Sequence, residues 1–277
     1  MVDQHTTTAI AQIVFYVPMV PITSYMCYRN WKYGPRMAWY PEIPFSLLRL
    51  IGGVLTLFHE RDKNNRLLII VTIVFLNVGL VPLIMSFLGI FRLIKKFHIF
   101  ASVVRYNIFV AIGLLTVSGA LAATPDLAQV QAVLSKIADL QFACVLAALI
   151  SACCLLYFKM KDEIGDSTMI YLQWILIASP PICVRTAYGL ISVFEASGDN
   201  MTTSMWSPLF GSALAFSLLA LVPEYITLCI YLFLAGHRLR TAKRCGLERR
   251  KTREHNSAQE HQNIDDGERS VEYVELR

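Results

Sequence analysis

Apolar residues fill this chain in long, almost unbroken runs, and polar residues collect in the short gaps between them. Stretches such as 67–91 are apolar all round, without the polar stripe a soluble helix carries at a 3.6-residue period. About 20 consecutive apolar residues cross a hydrocarbon core at a rise of about 1.5 Å each, and the runs have that length. The pattern predicts seven transmembrane helices, at about Thr8–Tyr28, Tyr40–Phe58, Leu67–Phe91, Tyr106–Ala123, Leu134–Phe158, Met169–Phe194 and Pro208–Ala235. The expected fold class is all-α, a polytopic seven-helix bundle over 8–235, with a short segment 1–7 before it and a polar tail 236–277 after it. The tail is too polar to bury a core and is expected to be mostly disordered. Bends are expected at Pro180-Pro181 in the sixth run and at Pro223 in the seventh. In the fifth run Ala143, Ala147 and Ser151 recur every four residues, a spacing that lets helices approach closely.

Charge sets the orientation. Lys and Arg gather in the first, third and fifth loops (Arg29, Lys32, Arg36; Arg92, Lys95, Lys96, Arg105; Lys159, Lys161) and just after the last run (Arg238, Arg240, Lys243, Arg244). The second loop dissents with Arg61, Lys63 and Arg66, and Lys136 at the start of the fifth run counts with it. The balance places the N-terminus outside or in the lumen and the C-terminus in the cytosol. Asn200-Met201-Thr202 is a glycosylation sequon, and this topology puts Asn200 on the outer side.

Composition agrees with a chain in lipid: 55% hydrophobic and only 16% charged, against about 25% charged in soluble domains. The net charge of +5 comes from helix flanks and tail and is no nucleic-acid footprint. Six histidines are scattered over termini and loops, and most of the seven cysteines lie in or beside apolar runs. No spacing suits a metal, and no cofactor is expected. A phosphate-binding glycine loop, an acidic diphosphate motif and the rhodopsin-type receptor signatures are all missing from the sequence.

Candidate chemistry lies in three charges placed deep inside apolar runs: Arg49, Arg185 and Glu224. A charge at bilayer depth costs about 2.5–3.5 kcal/mol on insertion scales, so such residues face a bundle interior, pair, and mark function. In a functional arrangement the arginines offer planar forks of donors to an anionic or oxygen-rich ligand, with Glu224 as counter-ion or proton-transfer group. In a structural one Glu224 pairs with one arginine, and the other bonds carbonyls freed by nearby prolines. The run lengths put Arg49 and Glu224 near mid-depth and Arg185 toward the outer half. Asn77, Asn107, Gln141, Gln173 and Tyr188 are the next polar residues in the runs. Asn77 is the best ligand candidate among them, because Gly79 and Pro82 loosen its helix. Trp31, Trp39, Tyr40 and Trp206 read as interface anchors.

The segments AIAQIVFYVPMVP, SLLRLIGGVL, NVGLVPLIMSFLGI, PPICVRTAYGLISVF and PEYITLCIYLFLAG together resemble a fungal family of seven-helix integral membrane proteins catalogued as a domain of unknown function. The resemblance spans about Thr8–Ala235. Its most specific elements are Arg49-x-x-Gly52-Gly53 and Val184-Arg185-x-x-Tyr188, and Glu224 falls where the family looks acidic or polar. It implies seven helices and a fungal origin, with fungal secondary metabolism as the context, but no reaction. The expected function is a multi-pass protein of the endoplasmic reticulum or plasma membrane, in contact with lipids, that acts as an accessory or binding component for a lipophilic small molecule. The alternatives are a membrane-embedded cyclase or isomerase of a lipophilic prenylated substrate, with Glu224 as its acid, and a seven-helix receptor or transporter.

Overall fold

The computed structural model describes residues 4–31, 38–62, 65–92, 98–121, 124, 127–159, 166–195, 204–207 and 209–238. All regular structure among them is helical: α1 (Gln4–Asn30), α2 (Glu42–Arg61), α3 (Arg66–Val78), α4 (Leu80–Phe91), α5 (His98–Leu121), α6 (Ala128–Lys159), α7 (Asp166–Glu195) and a last span, Ala213–Arg238. Because α3 and α4 together make one apolar stretch, seven helices are long and apolar enough to cross a membrane. Contacts cluster into two units, Met1–Ala235 and Gly236–Arg277. The second is described only for 236–238. The tail expected to be disordered and the Asn200 sequon both lie outside the described residues.

Helix ends differ from expectation where polar residues join the helices. α5 begins at His98 and α6 at Ala128, so Arg105 sits inside a helix rather than in a loop, and Lys136 lies two turns into its helix rather than at the start. Backbone hydrogen bonding near the membrane surface does not need apolar side chains, and hydropathy alone therefore trims such ends. Lys136 Nζ lies over the Phe194 ring of α7, 5.5 Å from its centroid. Side chains cap two starts: Asn65 Oδ1 accepts from Leu68 N–H at 3.3 Å, and Ser212 Oγ from Ala215 N–H at 3.3 Å.

The α-helical hydrogen bonding is interrupted at two places, one of them beside Pro223, where a bend is expected. α7 runs continuously through Pro180-Pro181, and α1 through Pro18 and Pro21. One interruption falls at Gly79, between α3 and α4. Pro82, with no N–H, leaves the Val78 carbonyl without its i+4 donor there. The other is a π-helical turn, Ser217–Leu221, just before Pro223 in the last span. Such wide turns gather at functional sites.

α4 is the axis of the bundle, with every residue but Met85 buried. α1 lies outside, showing Val14, Phe15 and Val17 to the surroundings, and pairs closely with α2. Gly53 makes that pairing possible: a Cβ there would stand 3.0 Å from Ile13 Cγ1 and 3.3 Å from the Ala9 carbonyl oxygen. Thr23 and Ser46 share a hydroxyl hydrogen bond of 3.1 Å across the same pair. On α6 the buried side is Phe142, Val145, Leu146, Leu149 and Cys153. Ala147 and Ser151 are exposed, so the four-residue stripe is not the seam. Trp39 is likewise buried, not an interface anchor.

Candidate functional site

Arg49 on α2, Arg185 on α7 and Glu224 on the last span, each near the middle of its span, come together in one cluster. Arg49 and Glu224 are fully buried and Arg185 is 2% exposed. Both guanidiniums donate to the same carboxyl oxygen, Glu224 Oε1: Arg49 through Nη2, and Arg185 through Nε at 2.5 Å. The Leu76 carbonyl of α3 accepts from Arg49 Nη1 at 2.9 Å and from Arg185 Nη2 at 3.4 Å. Direct contact puts the three charged groups at one level.

The surrounding sequence explains how two guanidiniums fit. Gly79, at the break between α3 and α4, leaves the space that Arg49 fills: a Cβ there would fall 2.4 Å from Nη2 and 2.7 Å from Cζ. Gly189 does the same for Arg185, with a Cβ 3.2 Å from Nη1. Gly52 and Gly53 let α1 close in, and Gln12 Nε2 then donates to the Arg49 carbonyl at 2.5 Å. The Arg-x-x-Gly-Gly pattern thus carries both a charge and the gap through which α1 reaches it.

Some hydrogen-bonding capacity is left over. Among the described residues, Glu224 Oε2, Arg49 Nε and the Tyr16 hydroxyl are buried without a partner. Tyr16 feels the charges of both Glu224 and Arg49. Together with Gln12 it also forms the inner wall of an apolar groove of about 160 Å³ between α1 and the last span. Ser217, Val222 and Ile226 line the opposite wall, and Thr8 and Ser217 hydroxyls meet at 3.2 Å. The π-turn therefore borders the groove, one helical turn from Glu224.

The other sequence candidates part company here. Tyr188 is buried one turn after Arg185, its ring centroid 6.0 Å from the guanidinium carbon, and its hydroxyl donates to the Trp206 carbonyl at 3.2 Å. It holds the segment before the last span rather than facing the groove. The Asn77 side chain lies outside the described residues. Gln141 Nε2 donates to Asn107 Oδ1 at 3.0 Å, an interhelical bond, and Gln173 is exposed.

Sequence reasoning missed four residues. Tyr16 gave no signal, and Gln12 was a polar residue in the first run that carried the same signal as Gln141 and was passed over. Asp139 on α6 is a second acid within electrostatic range of Arg185. It was visible as an isolated acid in the fifth run, but sat too near the expected helix start to count as deep. Glu42, at the other end of the bundle, is 2% exposed, with Oε1 unpartnered among the described residues and in electrostatic range of Cys27 and Tyr231.

A family described as Domain of unknown function (DUF7702) matches residues 2–242. The chain belongs to this family. The match takes in all seven spans and every residue of the Arg49–Glu224–Arg185 cluster. No curated protein and no solved structure matches the chain.

Proposed function

We propose that this DUF7702 protein is a membrane-embedded binding protein for a lipophilic small molecule, which lies in the groove between α1 and the last span with its polar end toward Tyr16. One observation carries the reading: an apolar groove whose inner wall, Gln12 and Tyr16, rests directly on a buried ion cluster. Apolar walls with a few convergent polar groups are the ordinary make-up of a small-molecule site. Behind that wall lie three buried groups without a partner among the described residues, the Tyr16 hydroxyl, Glu224 Oε2 and Arg49 Nε, while the other guanidinium donors named above are engaged by Glu224 and the Leu76 carbonyl. A hydroxyl or other hydrogen-bonding oxygen on the ligand fits them better than an anion. Glu224 itself does not line the groove, which favours binding over acid chemistry. An accessory role in fungal secondary metabolism is the context in which a lipophilic ligand of this kind would be handled.

The test uses the full chain, purified in mild detergent, with native mass spectrometry of whatever apolar molecule travels with it. Ala11 lines the groove without touching the ion cluster. Wild type is expected to carry a bound molecule that Ala11→Trp loses while its melting temperature stays the same. Retention by Ala11→Trp, or a wild type that carries bulk lipid alone, would refute the reading. A chemically altered product that Glu224→Gln cannot make would move the protein to the enzyme alternative.

A further inference from the structure

A second recess lies on another side of the bundle, away from the charges. α3 packs chiefly on α2, whereas α4, continuing the same span, packs on α5, α7, α2 and α6. The span therefore leans away from α5 over its first half and opens a cleft. Two adjoining spaces of about 200 Å³ and 420 Å³ fill it, both walled by Ile70, Val74 and Val78 on α3 and by Leu115 and Gly119 on α5. The larger space falls within the size of ligand sites, roughly 300–1,000 Å³. Apart from Phe75 the α3 wall is β-branched, and such side chains keep to one strongly preferred χ1 rotamer in a helix, so they do not swing across to fill the gap.

The cleft has a polarity gradient. Toward mid-span, at Val81 and Ile112, its walls are apolar. Near the ends of α5 and α6, Ser118, Gln131 and Ser135 line it. Ser118 is engaged: its hydroxyl meets Ser135 Oγ at 2.6 Å and donates to the Gln131 carbonyl at 3.0 Å. The Gln131 side-chain amide makes no hydrogen bond among the described residues, which leaves two donors and an acceptor at the mouth of the cleft. No charged side chain lines either space among the described residues. Water gains nothing along walls of isoleucine and valine.

We infer that this cleft is a site for an uncharged lipophilic alcohol drawn from the surrounding leaflet, its hydroxyl bonded to Gln131 and its hydrocarbon body lying between α3 and α5. The site is separate from the groove beside α1 and does not depend on it.

Photolabelling of the full chain in phosphatidylcholine vesicles tests the inference. The probes are a long-chain alcohol bearing a diazirine and an alkyne, and the matching hydrocarbon without the hydroxyl. The alcohol should label peptides of 69–78 and 112–119 more strongly than the outward faces of α5 and α6 at Phe109, Val133 and Ile137. Gly119→Phe, which puts a ring into the cleft, should lower that labelling several-fold. Gln131→Leu should remove the preference for alcohol over hydrocarbon. If Gly119→Phe does not fold, Leu115→Trp fills the same space. Uniform labelling of all outward faces, labelling unchanged by the filling variants, or an alcohol preference that survives Gln131→Leu would each overturn the inference. Ala11→Trp separates the two sites: it should leave this labelling intact, and a loss of cleft labelling in that variant would overturn the inference as well.

Discussion

α3 and α4 are two halves of one apolar span, alike in composition and opposite in circumstance. α4 is enclosed by four helices, with Ile84, Phe87, Ile90 and Phe91 fully buried. Most described side chains of α3 are only partly buried, and one side of the helix borders an open cleft. Gly79 divides them, at the point where the Arg49 guanidinium lies against the backbone. Hydropathy reports that a segment prefers hydrocarbon to water, but lipid and protein interior are equally acceptable hydrocarbon. What distinguishes the halves is the charge cluster, which pins the span at Leu76 and Gly79 and fixes the two parts in different surroundings.

The sharpest way to break this arrangement is to remove the acid. Glu224→Ala strands two buried guanidiniums, and loss of one partner from a buried ion cluster costs about 3–5 kcal/mol. It should appear as a large fall in melting temperature in detergent. Replacing all three charges together (Arg49→Met, Arg185→Leu, Glu224→Leu) should recover most of that loss, since apolar substitutes for a buried cluster are often neutral or better. A triple variant that is stable yet has lost its co-purifying ligand would assign the charges a role beyond stapling. A comparable loss is expected in α4: Phe87→Ala should cost about 3–5 kcal/mol, the usual range for a fully buried phenylalanine, whereas Ile73→Ala in α3 should cost well under half as much. Equal losses at the two positions would mean that α3 is as tightly packed as α4. Gly79→Ala comes next, at about 1–3 kcal/mol of overpacking. The side chain it meets is flexible in principle, but Arg49 is tied to Glu224 and Leu76 and has nowhere to retreat. The smallest effect is expected at Gln141→Leu, which removes two interhelical bonds, to the Asn107 carbonyl and Oδ1, each about 0.6 kcal/mol in a membrane bundle.

The spans and the deep charges were legible because each announces itself against a uniform background. Runs of leucine, isoleucine and valine have no other solution in this chain, and a lone Arg49 or Glu224 among them needs a partner. Which atoms pair was not legible. That both arginines converge on one carboxyl oxygen depends on Gly79 and Gly189 vacating space on two other helices, and glycine in an apolar run carries no label for such a use. Asp139 was hidden because helix α6 extends two turns beyond its apolar stretch. At Pro180-Pro181 α7 stays helical, so the proline pair does not end the helix there. The π-turn at Ser217–Leu221, by contrast, gave no local sign except the proline that follows it.

The ion cluster also sets an order of events during synthesis. Arg49 enters the bilayer with the second span, but the acid that neutralises it is 175 residues further along the chain. Through most of translation the early arginine must be sheltered by water, by the insertion machinery, or by backbone carbonyls such as that of Leu76. Chains stopped before residue 213 would keep an orphaned cation in the membrane, marking them for quality-control proteases. Completion of the last helix is therefore the moment at which a loose collection of inserted segments becomes a locked molecule.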